Sequence, residues 1–529
     1  MPPATAAPAR SSKEQPLLFR RKRFGKLMGL IAILVGLAIG AFAFGLSRKW
    51  PFAQVPTLQN LREASDSEVQ VRSFHQTYFP APGCILEGVV FHHGPASGKP
   101  LITIEKLTIR GSYLGILSQH VSRITAEGMH VTILPFGTNA PFHTTPSRIT
   151  IDEIVANGAT VEFDSDKLDQ RPLLFDIHEA RLQNVGWSAP LTYHVKGHNP
   201  EPPGEVNAQG KFGVWNLNDP GKTPLSGNYT FENANLSVYE GIAGTLSSTG
   251  KFGGKLAHID ISGTTATPDF KVKSSKHPVA LTTAFDAYVD ATRGDTFLKR
   301  VTADFWKTRI VAAGSIATSP DGKGKTALID LKSNDARIED LLLLFIEEKR
   351  APMSGSVAWQ AHAEISPGPQ EFLRKIKLQG AFGIEGGEFS DSSTQLGVDK
   401  LSAGAQGEKG KDREDPQTVL VNLKGQVGLL GGTAKFSSLS FNVPGASAYL
   451  HGTYDLINYR IDLRGQMKVD SKISDTTDGS KAFFLKMMEP FFKKKRKGEI
   501  VPVRISGTYE HPRFGLDLED KNARKVPSR

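Results

Sequence analysis

The chain has 529 residues, 39% of them hydrophobic, with 64 Lys and Arg against 54 Asp and Glu and a formal net charge of +10. Nine of those bases and one acid fall in residues 1–50, leaving 55 against 53 in the remainder. That near balance excludes a dedicated nucleic-acid surface, which needs concentrated positive charge, and the single Cys84 excludes a disulfide-stapled scaffold.

Residues 1–26 form a basic leader carrying Arg10, Lys13, Arg20, Arg21, Lys22, Arg23 and Lys26. Leu27 to Leu46 follow without one charged side chain. At about 1.5 Å per residue such a helix covers roughly the 30 Å core of a bilayer. The excess of Lys and Arg before it predicts a cytoplasmic N-terminus and an exported C-terminal part. A cleaved signal peptide is the alternative, with Ala41-Phe42-Ala43 as its small-x-small site. The length of the leader and the apolar continuation through Phe42, Phe44 and Leu46 favour an uncleaved anchor over residues 27–46. Residues 47–67 read as a polar linker.

Beyond the linker the 52 Gly and 32 Pro are scattered, as many short strands joined by turns require. Two β regions are expected, 68–275 and 276–518, with a tail over 519–529. The clearest strand is Tyr459 to Asp470, where Tyr459, Ile461, Leu463, Met467 and Val469 alternate with Arg460, Asp462, Arg464, Gln466, Lys468 and Asp470. Alternation of this kind predicts an antiparallel sheet with one dry face and one wet face. Shorter segments of the same kind are Thr326 to Lys332, Val419 to Leu423 and Val501 to Ile505. Helices are predicted over Asp335 to Glu348 and Lys481 to Phe492, and a mobile loop over Gly404 to Gln417. At roughly 16 residues per strand and turn the exported part holds about 30 strands, or about 140 Å of sheet at about 4.8 Å per strand.

The chain repeats itself. Ile261-Ser262-Gly263-Thr264 with Pro268 and Phe270 returns with the same spacing as Ile505-Ser506-Gly507-Thr508 with Pro512 and Phe514. A Gly-x-aromatic element precedes each copy, at Gly227/Tyr229 and Gly452/Tyr454, and recurs at Gly111/Tyr113, Gly210/Phe212, Gly250/Phe252 and Gly380/Phe382. Its irregular spacing reads as a reused strand-opening device rather than a fixed-period array.

Catalytic constellations are missing. Gly324-Lys325-Thr326 resembles the end of a phosphate loop, but position 319 is Ser where Gly is required. His92-His93 has no neighbouring carboxylate or Cys, and no G-x-S-x-G elbow occurs. No enzyme activity, metal or cofactor is expected. Glycan chemistry is disfavoured by the lack of a paired-acid motif and by only five Trp. The run Lys493, Lys494, Lys495, Arg496 and Lys497, following an apolar segment, reads either as a solvated end of a packed helix or as a contact for lipid headgroups.

Taken together these features resemble the AsmA family of envelope proteins. The resemblance rests on the single N-terminal anchor before a β-rich chain and on the segments Pro100 to Ile109 and Glu127 to Ile133. It rests also on Gly241 to Phe252 and on the ending Glu489-Pro490-Phe491-Phe492 with Val501 to Thr508. It implies a mainly β fold: a single transmembrane helix, then an elongated, curved, largely antiparallel β-sheet groove with a few short helices. It further implies a single-pass inner-membrane protein with a periplasmic domain that conducts phospholipid toward the outer membrane. Phospholipid, the inner membrane and outer-membrane or envelope proteins would be its partners, without nucleic acid. On this reading Tyr459, Ile461, Leu463, Met467 and Val469 are candidates to line the groove. The alternative is a non-catalytic scaffold that assembles outer-membrane proteins by strand addition.

Overall fold

Apolar and polar residues alternate along most of the chain, and the backbone answers with strands. The computed structural model describes residues 51–517 except 66, 93–99, 114, 116–119, 134–148, 164–172, 187, 217–218, 240, 274, 276, 320–323, 369, 371, 393, 397, 400–401, 403–417, 470–499 and 509–511. The expected anchor at 27–46, the helix over Lys481 to Phe492, the loop over Gly404 to Gln417 and the basic run Lys493 to Lys497 therefore lie outside the described residues. Among the described residues no helix is long and apolar enough to cross a membrane.

The chain opens with helix α1 (Gln54–Ser65), followed by β1 (Glu68–Gln70), β2 (Ser73–Thr77), β3 (Gly83–His92), β4 (Ile102–Gly111), β5 (His120–Ile133) and β6 (Thr150–Phe163). Next come β7 (Leu173–Val185), β8 (Leu191–Pro200), β9 (Pro203–Phe212), β10 (Pro224–Asn235), the two-residue β11 (Ile242–Ala243), β12 (Thr245–Lys255) and β13 (His258–Val272). Then follow β14 (Val279–Asp290), β15 (Asp295–Phe305), β16 (Thr308–Thr318), β17 (Lys325–Arg337), helix α2 (Ile338–Leu343), β18 (Met353–Ile365) and helix α3 (Phe372–Lys375). The last strands are β19 (Ile376–Phe389), β20 (Val421–Leu430), β21 (Thr433–Val443), β22 (Ala446–Asp455), β23 (Arg460–Val469), β24 (Ile500–Thr508) and β25 (Pro512–Leu516).

These strands build one sheet in which each pairs with its neighbours in sequence. β1 and β2 share the outer edge of β3, and β11 stands aside on β13. Every pairing is antiparallel except β5 with β6, which run parallel. The ladder crosses residues 275 and 276 unbroken, since β13 pairs with β14. Among the described residues there are 25 strands, two of them outside the main sequence of ranks, and the sheet they form measures about 105 Å across at about 4.8 Å per strand.

Register shifts recur in eleven of the twenty-four ladders, as between Phe231 and Ala234, Thr267 and Phe270, or Ser333 and Ala336. Each such bulge bends its strand and raises the local twist. Gly128 in β5 is one place where glycine is required: its φ is 61°, and a Cβ there would sit 2.5 Å from Glu105.

Several expectations need correction. The linker over 47–67 contains α1, whose Leu58 and Leu61 pack on the sheet. The helix expected over Asp335 to Glu348 is only α2, because β17 continues to Arg337. β20 starts at Val421, two residues after the expected Val419. The first I-S-G-T copy lies within one strand, β13, with its proline at the bulge, whereas the second spans the β24–β25 hairpin.

Candidate functional site

Cross-strand register assigns every side chain to a face, because directly opposed residues project to the same side. One row starts at Cys84 and runs through Ile109, Ile124, Ile154, Leu182 and Tyr193 in β3 to β8. It continues through Gly210, Gly227, Phe252, Ile261, Ala287 and Leu298. Gly314, Ile329, Ala363, Leu378 and Leu429 carry it across β16 to β20. It finishes through Ala434, Tyr454, Ile461, Gly507 and Pro512. No charged side chain interrupts this row from β3 to β25. The other face is polar, with Arg123, Glu153, Lys211, Asp260 and Lys377 in the neighbouring row.

Four places on the apolar face are closed by the chain itself, one of them where Leu341 and Leu344 pack on Val279, Leu281 and Phe305 over β13 to β16. Around β3 to β6, α1 and Phe52 cover Cys84, Leu86 and Val89, each 0% exposed. Burial pushes the Cys84 thiol up to about 11, only partly offset by the Thr57 hydroxyl. Over β17 to β19, Ile338, Leu341 and Leu342 in and beside α2 pack on Ala336, Val357 and Ile384. Val398 packs with Val421, Val443, Ala446 and Met467 on the strands near the C-terminal edge.

Between these places the face is open. Across β8 to β12, Val195, Val206, Phe212, Tyr229, Phe231 and Phe252 are only half-buried and belong to no closed core cluster. Tyr193 is the buried exception; its hydroxyl donates to the Ser226 carbonyl at 3.2 Å, and burial raises its pKa to about 12. One short polar rung crosses the same face, where Ser248, Thr265 and Thr283 stand opposite each other. It is internally paired: the Thr265 and Thr283 hydroxyls are 2.7 Å apart, and Ser248 meets Tyr229 at 3.1 Å.

Two of the Gly-x-aromatic glycines, Gly227 and Gly250, together with Gly263 and Gly425, acquire a physical meaning here, and it is not strand opening. Gly227 faces Phe252, Gly250 faces Tyr229, Gly263 faces Phe285 and Gly425 faces Phe382 across the ladder. A Cβ on Gly250 would lie 2.7 Å from the Tyr229 ring, and one on Gly227 2.9 Å from the Phe252 ring. Each glycine leaves room for an aromatic ring to lie flat along the dry face instead of standing away from it.

The residues singled out in β23 divide. Ile461, Leu463 and Met467 share the apolar face, opposite Tyr454, Gly452 and Ala448, and Val469 takes the next same-face register position opposite Ala446. Tyr459 precedes the strand: it sits in the β22–β23 turn with φ 55° and is 61% exposed. On the polar face Arg504 donates to Asp462 at 3.0 Å, with Arg464 3.6 Å away. Partial burial raises the Asp462 pKa, but that hydrogen bond and the two guanidinium charges outweigh it and hold the carboxyl below its ordinary value. Sequence reasoning missed the open stretch over β8 to β12, whose signal was the alternation of Phe212, Tyr229, Phe231 and Phe252 with polar neighbours.

Among the described residues no group of three or more His, Cys, Asp or Glu is arranged to hold a metal ion. Compared with protein-family models, curated proteins and solved structures, the chain matches none.

Proposed function

We propose that this chain is an inner-membrane-anchored carrier of the kind the AsmA resemblance implies, conducting phospholipid along the apolar face of its sheet toward the outer membrane. The observation that carries the reading is the uncharged row from Cys84 to Pro512, left half-open over β8 to β12. Over β8 to β12 the dry face has no second protein layer and needs a cover. Acyl chains suit it, since each methylene withdrawn from water contributes about 0.8 kcal/mol. On a continuous apolar face acyl chains slide along rather than leave. Headgroups remain at the solvated rim and need no buried charge partner. No chemistry is required, only a continuous surface that removes the barrier of exposing hydrocarbon to water.

The test is site-specific photo-crosslinking in cells at Phe231 and Phe252 on the apolar face and at Thr230 and Lys251 on the polar face. Lipid adducts confined to the first pair are expected. Protein adducts at Phe231 and Phe252, with no lipid, would replace the carrier by the assembly scaffold.

A further inference from the structure

We propose that the lipid path is one-sided: glycerophospholipid phosphates follow one named rim of the sheet, and the acyl tails lie inward from it across the apolar face. This deepens the carrier reading and rests on it. The rim is the one that holds the β9–β10, β12–β13, β14–β15, β16–β17, β18–β19, β20–β21 and β22–β23 connections.

Successive connections of an antiparallel ladder alternate between two rims. Backbone bonds tie the named ones together: Leu256 N–H donates to the Thr223 carbonyl, Ala291 N–H to the Leu256 carbonyl and Leu456 N–H to the Gly432 carbonyl. The opposite rim carries α2. Asp340 accepts there from the Lys307 N–H at 3.0 Å and the Thr308 hydroxyl at 2.8 Å, and the Ser275 hydroxyl donates to the Leu343 carbonyl at 2.8 Å. The covered residues from β13 to β24, such as Val279, Phe305, Ala336, Met353, Val443 and Met467, sit toward this opposite rim.

Toward the first rim two same-face rows stay outside every closed cluster. One runs from Leu331 through Gly380 and Phe436 to Leu463, the next from Ile329 through Leu378 and Ala434 to Ile461. Leu331, Phe436 and Leu463 are only half-buried. The path from β13 to β24 is therefore a lane, open at one margin and walled by α2 and Val398 at the other. A phosphate pressed against Leu341 and Leu344 would lose its water without gaining a partner, so a tail lying along the strands keeps its headgroup at the open margin.

Charge points to the same rim. Its strand ends and turns carry the exposed cations Lys222, Lys255, Arg293, Lys325, Arg374 and Arg460; among the described residues the β20–β21 turn, Gly431-Gly432, has none. Most of its aspartates face inward. Asp290 accepts from the Thr292 N–H, Asp295 from the Thr318 N–H and Asp455 from the Ile457 N–H, each at 2.9 Å. Arg293 and Lys325 approach Asp295 only to 3.8 and 4.0 Å and stay exposed, and Lys222 meets Asp219 at 3.1 Å. The covered rim mixes its signs, with exposed Glu347, Glu348 and Asp391 beside Lys349 and Arg350, and its Lys273 is taken by the Ser237 and Tyr239 carbonyls. On the open rim a cation recurs about every two strands, or about 10 Å. Lys and Arg are the natural partners of a phosphate, and this spacing hands it from one to the next.

Single cysteines bearing a fluorophore are placed in the full chain at Ala291 and Leu430 on the open rim, at Phe345 and Leu396 on the covered rim, and at Phe252 on the apolar face. Cys84 is 0% exposed and stays unlabelled. In detergent micelles, phosphatidylcholine with a nitroxide on its headgroup is compared with phosphatidylcholine carrying it near the end of one tail. The tail nitroxide should quench Phe252→Cys, and the headgroup nitroxide should quench the open-rim probes but not the covered-rim ones. Lys255→Glu/Arg293→Glu/Lys325→Glu should lower the phosphatidylglycerol that co-purifies with the chain by about tenfold. Lys307→Glu/Lys349→Glu/Arg350→Glu makes the same change in net charge on the covered rim and should leave it unchanged. Melting temperatures identify any variant that fails to fold. Equal headgroup quenching at both rims, or equal losses in the two triple variants, would overturn the proposal and leave the carrier standing. No tail quenching at Phe252→Cys would overturn the carrier reading, and this one with it.

Discussion

The N-terminal end of the sheet and its middle present the same face of the same ladder and use it differently. Around β3 to β6 the apolar side chains meet α1, and Leu86 and Val89 are 0% exposed. Around β8 to β12 the corresponding positions hold larger side chains, Phe212, Tyr229, Phe231 and Phe252, yet remain half-buried. Hydrophobic stabilisation follows the area removed from water, at about 25 cal/mol per Å². The end has therefore drawn its full stabilisation from folding, whereas the middle keeps part of it for whatever lies on top. Period-two patterning specifies that a face is dry; it does not specify what dries it.

The comparison breaks most sharply if the closed end tolerates truncation. Leu86→Ala should cost about 3 kcal/mol by chemical denaturation, through lost transfer energy and the cavity left beneath α1. In the open middle Phe252→Ala should cost about 1 kcal/mol, because half of the ring is already wet and no enclosed cavity forms. The same variant should lower the amount of phospholipid co-purifying with the chain, read by mass spectrometry. A loss at Phe252 as large as at Leu86 would mean that the middle is a closed core. Gly250→Ala should also cost about 1 kcal/mol, since the Tyr229 ring can swing outward but the Ser262 carbonyl, 2.6 Å from the new Cβ, is held in the ladder. The effect of Cys84 is absent at neutral pH and appears only at high pH. Its folded pKa of about 11 stands above the ordinary 9.0. The neutral thiol therefore adds stability that is fully present below pH 9 and is lost as pH rises through 11, so the wild type should lose stability faster than Cys84→Ala over that range.

Much of the fold was legible from alternation alone. Ile461, Leu463 and Met467 face the dry side as their spacing predicts, because successive residues of a strand project to opposite faces. Tyr459 fits the same count but falls outside it. Asp455 accepts hydrogen bonds from the backbone N–H groups of Ile457 and Asn458, and this turn carries Tyr459 into a left-handed conformation before the ladder resumes. The Asp-x-x-Asn pattern was the available signal. α1 escaped notice because it is polar apart from Val55, Leu58 and Leu61, a short stripe that becomes meaningful only against the sheet. α2 is shorter than its apolar run suggests, since the pairing of β17 with β18 holds Ala336 and Arg337 in the strand.

By itself the sequence determined that the described chain is a series of strands with one dry and one wet side, because that follows from a two-residue period each strand carries alone. Only the tertiary structure decided that twenty-two strands align their dry residues into one uncharged row, and that the chain covers that face around β3 to β6 and from β13 to β24 while β8 to β12 stay half-open. It also decided that Gly227 and Gly250 of the repeated motif each lie opposite an aromatic ring. Register and cover depend on contacts between residues far apart along the chain, and no local pattern encodes them.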